Sequence, residues 1–362
     1  MKKIVITGGH ITPALAVIEE LRKQGGWEIY FFGREHATEG DKAFSVESQV
    51  IPPMGIKFIA IAAGRLQRRF TRYTIPAALR LPVGFFQALY HLARVRPAVI
   101  LSFGGYLGVP AIMAGWLLGI PGITHEQTTV IGLGTKINAF FCRKVALSWP
   151  QTVGIFPKGK AVLTGNPIRR EIFKTSTKAW QGFGFEKGRP LVLVSGGNQG
   201  SQVINAAVAD CLDQILVNNN LFHQVGQSDL ARLKKLERKN YRVAGFVKGA
   251  EWGTLLHKAD LVVSRAGINT LTELGSLGKP MLLIPIPWLF ENEQTKNARL
   301  FKEAGIAEII PQDDLNPDRL LNTVTNMMTN LYRYRQNAAR AQGLVVPDAA
   351  VKIVKLISET AL

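Results

Sequence analysis

The stretch DLVVSRAGINTLTEL, residues 260–274, places a short β-branched run directly before a glycine turn and a helix start. This order is typical of an α/β unit that binds ligands at the carboxyl end of a parallel strand. Backbone N–H groups of residues 268–270 could hold a diphosphate, and Glu273, one turn into the helix, could accept hydrogen bonds from ribose hydroxyls. An ordinary carboxylate favoured by the helix dipole fits Glu273 as well. The stretch predicts a doubly wound α/β fold and leaves the role of Glu273 open.

The same order of elements recurs along the whole chain. Short strand-like runs alternate with longer helix-compatible stretches, which favours parallel sheets. In the first half the strand-like runs are residues 3–6, 28–32, 58–62, 98–101 and 144–147. In the second half they are residues 190–195, 220–224, 241–246, 260–264, 281–285 and 306–310. We therefore predict two Rossmann-like, doubly wound domains.

The domain boundary is predicted near residues 164–167, where the turn sequence TGNP follows a strand and precedes a polar, charged stretch. The first domain then covers residues 1–165, and the second covers residues 166–344. Pro347 and Asp348 can cap a final helix, residues 345–362, with an apolar face suited to packing on either domain. Its members are Ala350, Ile353, Val354 and Ile357.

Composition narrows the class of partner. A formal net charge of +18 over 362 residues indicates an anionic partner, which could be a nucleic acid, a membrane surface or a phosphorylated substrate. Cys142 and Cys211 are the only cysteines, so neither a disulfide framework nor a structural zinc site is predicted. No apolar run is long enough for a signal peptide or a membrane span. A soluble or peripheral protein in a reducing, cytoplasmic setting is expected.

A glycine turn follows the first strand of each half. Thr7-Gly8-Gly9-His10 comes after the strand at residues 3–6, and SGGNQG, residues 195–200, ends the strand at 190–195. Such turns open onto helix N-termini that favour anions, although they occur in any α/β fold. Neither is a GxGxxG motif, and no GxxxxGK[ST] occurs, which disfavours a simple dinucleotide site and a P-loop NTPase. Their matching positions favour a ligand-binding role for both.

Four motifs follow one another along the chain. They are GGY at residues 104–106, HEQ at 125–127, TGNPIR at 164–169 and the long segment at 264–298. In this order they resemble the MurG family, the UDP-N-acetylglucosamine:lipid-linked N-acetylmuramyl-pentapeptide transferases, and the resemblance covers nearly the whole chain. It implies the GT-B architecture, with two domains facing a cleft, the acceptor on the first and UDP-N-acetylglucosamine mainly on the second. It also implies that the final helix returns to the first domain.

The resemblance assigns expected roles to particular residues. Donor contacts from the first domain are expected from Thr7, Gly8, Gly9 and Thr128. Donor contacts from the second domain are expected from Arg169, Asn198, Val247, Ile268, Asn269, Thr270, Leu271, Thr272, Glu273, Glu293 and Gln294. Acceptor contacts are expected from Gly104, Gly105 and Tyr106.

The implied reaction is an inverting transfer. The muramyl 4-hydroxyl attacks the anomeric carbon, and UDP leaves with its charge held by a helix dipole and backbone, with no metal or other cofactor. His10 is the candidate general base because imidazole can accept a proton near neutral pH, although loop packing explains this residue equally well. His125 and Glu126 are alternative catalytic groups, or they contact the acceptor diphosphate.

The chain departs from the family pattern at several places. Its first loop is only Thr7-Gly8-Gly9-His10, whereas the family usually has GGTGGH. Thr128, Asn198 and Glu293 replace the more usual Asn, Ser and His or Gln, and Glu293 adds an anion near the expected sugar pocket. These departures leave open a GT-B relative with another lipid acceptor, a nucleotide-sugar 2-epimerase, or an inactive UDP-sugar-binding module.

An acid-free interval separates Glu47 from Glu126. Its basic residues are Lys57, Arg65, Arg68, Arg69, Arg72, Arg80, Arg94 and Arg96. Apolar side chains are interleaved with them or follow nearby: Leu79, Leu81, Phe85, Phe86, Leu89, Tyr90 and Trp116. The mixture predicts peripheral contact with anionic lipid on the cytoplasmic face of the bacterial membrane, and a buried helix with solvated arginines is the alternative. No nucleic-acid-binding motif accompanies the arginines, so no nucleic-acid partner is predicted.

Overall fold

The computed structural model describes residues 1–36, 44–62, 74–197 and 199–361, with the backbone alone at residues 74–80. Over these ranges the strands form two sheets in which all neighbouring strands are parallel. The first sheet contains β1 (Lys2–Thr7), β2 (Trp27–Gly33), β3 (Lys57–Ala60), β4 (Val99–Ser102), β5 (Gly122–Glu126), β6 (Lys144–Leu147) and β7 (Ala161–Leu163). The second contains β8 (Leu191–Ser195), β9 (Asn220–Gln224), β10 (Tyr241–Ala244), β11 (Leu261–Ser264), β12 (Met281–Leu283) and β13 (Ala307–Ile309).

Helices connect the strands and cover the sheets. The helices before β8 are α1 (Ile11–Gln24), α2 (Val46–Val50), α3 (Thr74–Val95), α4 (Gly105–Leu117), α5 (Leu133–Phe141) and α6 (Thr177–Gly182). Those after β8 are α7 (Gln202–Asp210), α8 (Leu212–Leu216), α9 (Gln227–Lys234), α10 (Gly249–Lys258), α11 (Ile268–Ser276), α12 (Glu293–Glu303), α13 (Pro317–Thr329), α14 (Leu331–Gln336), α15 (Ala338–Gly343) and α16 (Ala349–Thr360). Short 3-10 turns lie at Pro52–Met54, Pro150–Ile155, Arg170–Phe173, Phe290–Asn292 and Gln312–Asp314. Among the described residues, no helix is both long and apolar enough to cross a membrane.

The strand order reverses once in each sheet. The orders are β3-β2-β1-β4-β5-β6-β7 and β10-β9-β8-β11-β12-β13. The reversals fall between β1 and β4 and between β8 and β11. In doubly wound sheets, ligands bind outside the carboxyl ends of the strands at these switch points. The predicted α/β class with two doubly wound sheets is confirmed.

The strands are buried on both faces, which explains their uninterrupted apolar sequences. All five residues of β8 are buried, and so are the last four of β1. The sequence pattern does not predict β5 or β7. In β5 the sequence GITHE follows a glycine-rich turn and ends in two ionisable residues, although all five residues are buried. β7 is an edge strand of three residues that are partly or fully exposed, so it carries little apolar signal.

Two compact units divide the chain. Unit 1 contains residues 1–169 and 346–362, and unit 2 contains residues 170–345. Helix α16 belongs to unit 1 because its apolar face, with Ile353, Val354 and Ile357, joins the core formed by β1, β4 and α1. Arg169, expected in the second domain, closes the first segment of unit 1.

Candidate active site

The switch point of unit 1 is built from two glycine turns whose backbones touch. Thr7 lies opposite Ser102 in the register of β1 and β4, so the turns that follow these strands lie side by side. A Cβ on Gly9 would come within 2.5 Å of the carbonyl oxygen of Gly104, and Gly9 has a φ of 147°. Only glycine fits there. The turns bring the N-termini of α1 and α4 to one edge.

His10 lies at the N-cap position of α1, at this edge, and is half-buried. Burial of the ring lowers the pKa of His10 to about 4. The imidazole is therefore neutral at pH 7, which is the state that a general base requires. It is also a weak base, so it is suited to accept a proton only when the attacking hydroxyl has become acidic.

His125 lies at the same edge, near the carboxyl end of β5, but it is fully buried. Its Nε2 lies 3.0 Å from the carbonyl oxygen of Gly165, which requires the proton to be on Nε2, and 3.3 Å from Ser148 Oγ. Burial lowers the pKa of His125 to about 4, and the nearby His10 has a smaller effect in the same direction. His125 thus anchors the turn after β7, and its catalytic role stays a prediction.

Glu126 is also a structural anchor in this arrangement. Its Oε1 accepts from the backbone N–H and the hydroxyl of Thr128, at 3.2 and 3.1 Å, and its Oε2 accepts from the N–H of Gly132 at 3.0 Å. Burial raises the pKa of Glu126, and these hydrogen bonds oppose the shift. Both carboxylate oxygens are engaged in holding the loop before α5. Glu126 therefore positions this loop, its catalytic role stays a prediction, and Thr128 is buried within the same loop.

The predicted acceptor-side residues Gly104, Gly105 and Tyr106 form the start of α4. Gly104 and Gly105 have φ values of 71° and 69°, which favour glycine. A Cβ on Gly134 of α5 would lie 2.6 Å from the oxygen of Gly105, so the two helix starts are in close contact. Tyr106 accepts a hydrogen bond from Arg34, whose guanidinium also lies 5.3 Å from the ring centre. The predicted residues are thus brought to one edge of unit 1.

The switch point of unit 2 has the same plan. Ser195 lies opposite Ser264 in the register of β8 and β11, which places the turn after β8 beside the start of α11. The backbone at Gly200 packs closely on the backbone at Val225 and Gly226, since a Cβ on Gly200 would lie 2.0 Å from the oxygen of Val225. Asn198, predicted as a donor contact, lies outside the described residues.

Helix α11 presents its N-terminus at this switch point. Gly267 is its N-cap, with an ordinary φ of −68°, and a Cβ built there would meet no atom within 4 Å. The fold does not require glycine at this position, so its small size suits the approach of a ligand. Glu273 is buried one turn into the helix, where its Oε2 accepts from Trp252 Nε1 at 3.5 Å. Of the other predicted contacts, Ile268, Leu271 and Thr272 are buried, whereas Asn269 and Thr270 are partly exposed.

The loop between β12 and α12 completes this edge. The buried Gln294 accepts from the backbone N–H of Ile286 at 3.0 Å and so fixes the loop against the start of α12. Glu291 and Asn292 both have left-handed backbones, with φ of 47° and 54°. Glu293 is the first residue of α12 and is partly exposed. The helix start thus carries the anion that the family resemblance predicts to lie near the donor.

Sequence reasoning missed the residues that support these loops. The buried Gln224, at the end of β9, contacts the turn after β8 and the backbone of Val247. Arg265 donates to Ile284 O and to Gln312 Oε1, and its burial lowers its pKa. A polar residue at the carboxyl end of a buried strand is the signal that could have identified Gln224. Among the described residues, no cluster of three His, Cys, Asp or Glu side chains is placed to hold a metal ion.

Comparison with known proteins assigns both units to one family. The glycosyltransferase family 28 N-terminal domain matches residues 7–147, and the family 28 C-terminal domain matches residues 191–353. A Clostridium kluyveri protein is 33% identical over 365 residues, covering 99% of each chain, and a Clostridium botulinum Langeland protein is 35% identical over 94% of this chain and 95% of its own. Both are named UDP-N-acetylglucosamine--N-acetylmuramyl-(pentapeptide) pyrophosphoryl-undecaprenol N-acetylglucosamine transferase. The chain belongs to the MurG family.

Solved structures support the assignment. Acinetobacter baumannii MurG matches with a TM-score of 0.75 and 25% identity, covering 99% of this chain and all of that one. The Neisseria meningitidis UDP-GlcNAc 2-epimerase, bound to UDP-GlcNAc, matches with a TM-score of 0.69 at 14% identity, which shows a shared fold alone. The predicted GT-B fold and the predicted class of glycosyltransferase are confirmed for this member of the MurG family.

Proposed function

We propose that this chain transfers N-acetylglucosamine from UDP-N-acetylglucosamine to the lipid-linked N-acetylmuramyl-pentapeptide, a step of bacterial peptidoglycan synthesis. The observation that carries the proposal is the similarity over 99% of the chain to a transferase named for this reaction. The geometry of the two switch points supports it, because each presents helix N-termini that can bind an anion. The donor and the lipid-linked acceptor are both diphosphates, so each unit has a ligand of suitable chemistry.

The donor is proposed to bind unit 2 at the start of α11. Backbone N–H groups of Ile268, Asn269 and Thr270 would hold the diphosphate beside Gly267, where no side chain obstructs its approach. The buried carboxylate of Glu273 would accept hydrogen bonds from the ribose hydroxyls. Val247 lies on the loop after β10, and Glu293 and Gln294 are the first two residues of α12, in the same unit.

His10 is proposed as the group that accepts the proton of the attacking hydroxyl. In the transfer, the bond from the acceptor oxygen to the anomeric carbon forms, the bond from that carbon to the UDP oxygen breaks, and the hydroxyl proton passes to His10 Nδ1 or Nε2. A neutral imidazole with a pKa of about 4 can accept this proton late, after the acceptor oxygen has become positively charged. His10→Ala should therefore lower kcat and leave the affinity for UDP unchanged.

The leaving UDP is proposed to be stabilised by protein groups, without a required metal. The α11 N-terminus offers backbone N–H groups and the positive end of the helix dipole to the developing diphosphate charge. Activity should then be unchanged in excess EDTA. A loss in EDTA that Mg²⁺ restores would contradict this part of the proposal.

Unit 1 is proposed to rest on anionic lipid at the cytoplasmic face of the membrane. Exposed aromatic residues lie on three neighbouring helices, Phe86 and Tyr90 on α3, Trp116 on α4 and Phe140 on α5, with exposed fractions from 54% to 80%. Arg94 and Arg96 are exposed nearby, and the Arg94 guanidinium lies 4.8 Å from the ring centre of Tyr90. The exposed aromatic and basic side chains together suit a lipid interface.

Two members of the predicted lipid-facing set belong instead to the core. Phe85 and Leu89 pack against the buried cluster around Phe32 and Leu92 because they lie on the inner face of α3. Arg65, Arg68, Arg69 and Arg72 lie outside the described residues, as do the side chains of Leu79 and Arg80. The proposed surface therefore rests on the exposed aromatic residues and on Arg94 and Arg96.

Vesicle sedimentation tests the lipid surface. Wild-type protein should sediment with phosphatidylglycerol vesicles and not with phosphatidylcholine vesicles, and Trp116→Ser with Phe140→Ser should weaken this binding. Trp288→Ser is the matched control because Trp288 is exposed to a similar degree but lies on unit 2. Equal loss in the control, or binding that ignores lipid charge, would contradict the proposed surface.

Transfer of labelled N-acetylglucosamine to a short-chain lipid-linked muramyl-pentapeptide tests the reaction itself. The expected product is the disaccharide lipid. Transfer only to another lipid acceptor would support a relative with a different acceptor, and epimerisation of the donor would support a 2-epimerase. UDP-N-acetylglucosamine binding with no turnover on any acceptor would support an inactive binding module.

A further inference from the structure

The side chain of Gln224 joins two segments that are far apart in sequence. Its Nε2 donates to Ser195 Oγ at 3.1 Å and to the carbonyl oxygen of Gly197 at 3.3 Å. Its Oε1 accepts from the backbone N–H of Val247 at 2.9 Å. One buried amide thus ties the glycine turn after β8 to the loop after β10.

The partners fix the orientation of this amide. Two acceptors face its NH2 group, and one donor faces its oxygen, so the reversed amide would set two oxygens against each other at Gly197. Ser195 Oγ in turn accepts from the N–H of Gly197 at 3.2 Å, which closes the turn on itself. A glutamate at position 224 could keep the bond from Val247, but it could not donate to Gly197. A methionine would fill the space and keep none of the bonds.

We propose that Gln224 is a positioning residue for the donor nucleotide, an inference that rests on the proposed donor site of unit 2. It sets the spacing between the turn at residues 195–197 and the backbone at Val247, so that one nucleoside diphosphate can contact both. The turn lies at the switch point and suits a phosphate, whereas Val247 lies one strand beyond β9, on the side away from α11. Gln224 itself stays beneath the ligand and takes no part in the chemistry.

Asn220, at the other end of β9, provides a matched control. It is fully buried, and its Nδ2 donates to the carbonyl oxygens of Glu186 and Arg189, at 2.9 and 3.1 Å. Its Oδ1 accepts from the N–H of Glu186 at 3.2 Å. Asn220 and Gln224 are therefore buried amides that bridge loops from the same strand, but Asn220 does so at the amino edge of the sheet, away from the donor turns.

The test compares Gln224→Met with Asn220→Leu in the full-length chain. Both variants should lower Tm, since each leaves buried backbone groups without a partner. Gln224→Met should raise the Kd for UDP about tenfold and raise KM for UDP-N-acetylglucosamine with little change in kcat, whereas Asn220→Leu should leave both constants unchanged. Uridine and inorganic pyrophosphate each reach only one of the two segments, so their inhibition constants should change less than that of UDP.

Gln224→Glu provides a second variant if the methionine variant does not fold. It keeps the Val247 bond, so its Kd for UDP should lie between those of wild type and Gln224→Met. Unchanged UDP affinity in the Gln224 variants, or an equal loss in Asn220→Leu, would overturn the inference. Wild-type protein that does not bind UDP would overturn the donor site and this inference together. Wild-type protein that binds UDP but transfers no sugar would contradict the proposed reaction alone, and the affinity comparison would still decide the role of Gln224.

Discussion

The two units bring similar glycine turns to their switch points, but they differ in how the buried polar atoms beside those turns are partnered. In unit 1 the backbones pack directly on each other, with Gly9 against Gly104 and Gly105 against Gly134. Three buried polar atoms of its strand ends, Thr7 Oγ1, His125 Nδ1 and Gln127 Oε1, have no hydrogen-bond partner among the described residues.

In unit 2 the backbones at Gly200 and Gly226 also pack closely, and three side chains add hydrogen bonds between the loops. Gln224, Gln294 and Arg265 each bond the backbone of a neighbouring loop. Its own hydrogen bonds hold this edge, which suits the nucleotide site proposed there. The edge of unit 1 has three such buried atoms, which a ligand or solvent could partner.

Gly9→Ala should have the largest effect, because it breaks the backbone contact that defines the edge of unit 1. A Cβ there would meet two backbone oxygens, Gly104 O at 2.5 Å and Phe103 O at 2.9 Å, and the φ of 147° is strained for alanine. The free energy of unfolding should fall by more than about 4 kcal/mol, measured by urea unfolding. Gly119→Ala is the control, since its φ of 71° is also left-handed but no atom lies within 4 Å. An equal loss in both variants would show that strain, and not the contact, dominates.

Acid should destabilise both edges through their buried histidines. The pKa of His125 is about 4 and that of His223 about 3, against an ordinary 6.5, because burial disfavours the charged ring. Below about pH 6.5 the unfolded chain therefore binds more protons than the folded chain. The histidine contribution to the free energy of unfolding is fully present above that pH and is lost as the pH drops toward 4. For His125 alone, the free energy of unfolding should fall by about 3 kcal/mol over this pH range. In the folded state Nε2 of His223 donates to Asn205 Oδ1 at 3.0 Å, and Nδ1 accepts from Tyr241 Oη at 3.1 Å.

His223→Gln tests this acid loss in unit 2. Urea unfolding between about pH 7 and pH 4 should show a shallower fall in stability than in wild type, because one buried group no longer titrates. The variant will be less stable at pH 7, so the comparison uses the slope of the free energy of unfolding against pH and not its absolute value. A slope equal to that of wild type would show that His223 does not control the acid response.

The fold was readable from the sequence because its strands are continuous apolar runs followed by glycine turns. The turns at Gly9, Gly197 and Gly267 and the helix carboxylate Glu273 were found for the same local reason. The supporting contacts were not, because they join residues that are distant along the chain: Gln224 lies 29 residues from Ser195 and 23 from Val247. The burial of Glu126 and His125 also could not be read locally, since β5 ends in the ionisable residues that normally mark an exposed edge.

Gly267→Ala tests the proposed donor site of unit 2. Nothing lies within 4 Å of the Cβ position and φ is −68°, so the free energy of unfolding should not change. The added methyl group should instead obstruct the diphosphate and raise the Kd for UDP about tenfold. Gly154→Ala, in a 3-10 turn of unit 1 and also in open space, should change neither quantity. A stable Gly267→Ala variant with unchanged UDP affinity would contradict the proposed position of the diphosphate at the start of α11.

The smallest effect is expected for Glu293→Gln, which tests how a negative charge at the start of α12 affects donor binding. Glu293 begins α12, where its negative charge interacts favourably with the helix dipole. Its neutralisation should therefore lower the free energy of unfolding by about 0.5 kcal/mol. The same change removes a negative charge from the edge proposed to hold the UDP diphosphate, so KM for the donor should fall about twofold. Glu303→Gln, an exposed residue at the other end of α12, should leave KM unchanged and stabilise the helix slightly. A rise in KM for Glu293→Gln would mean instead that the carboxylate accepts hydrogen bonds from the donor sugar. The anion would then be a sugar ligand, and the donor edge would combine backbone recognition of phosphate with a side chain that selects the sugar.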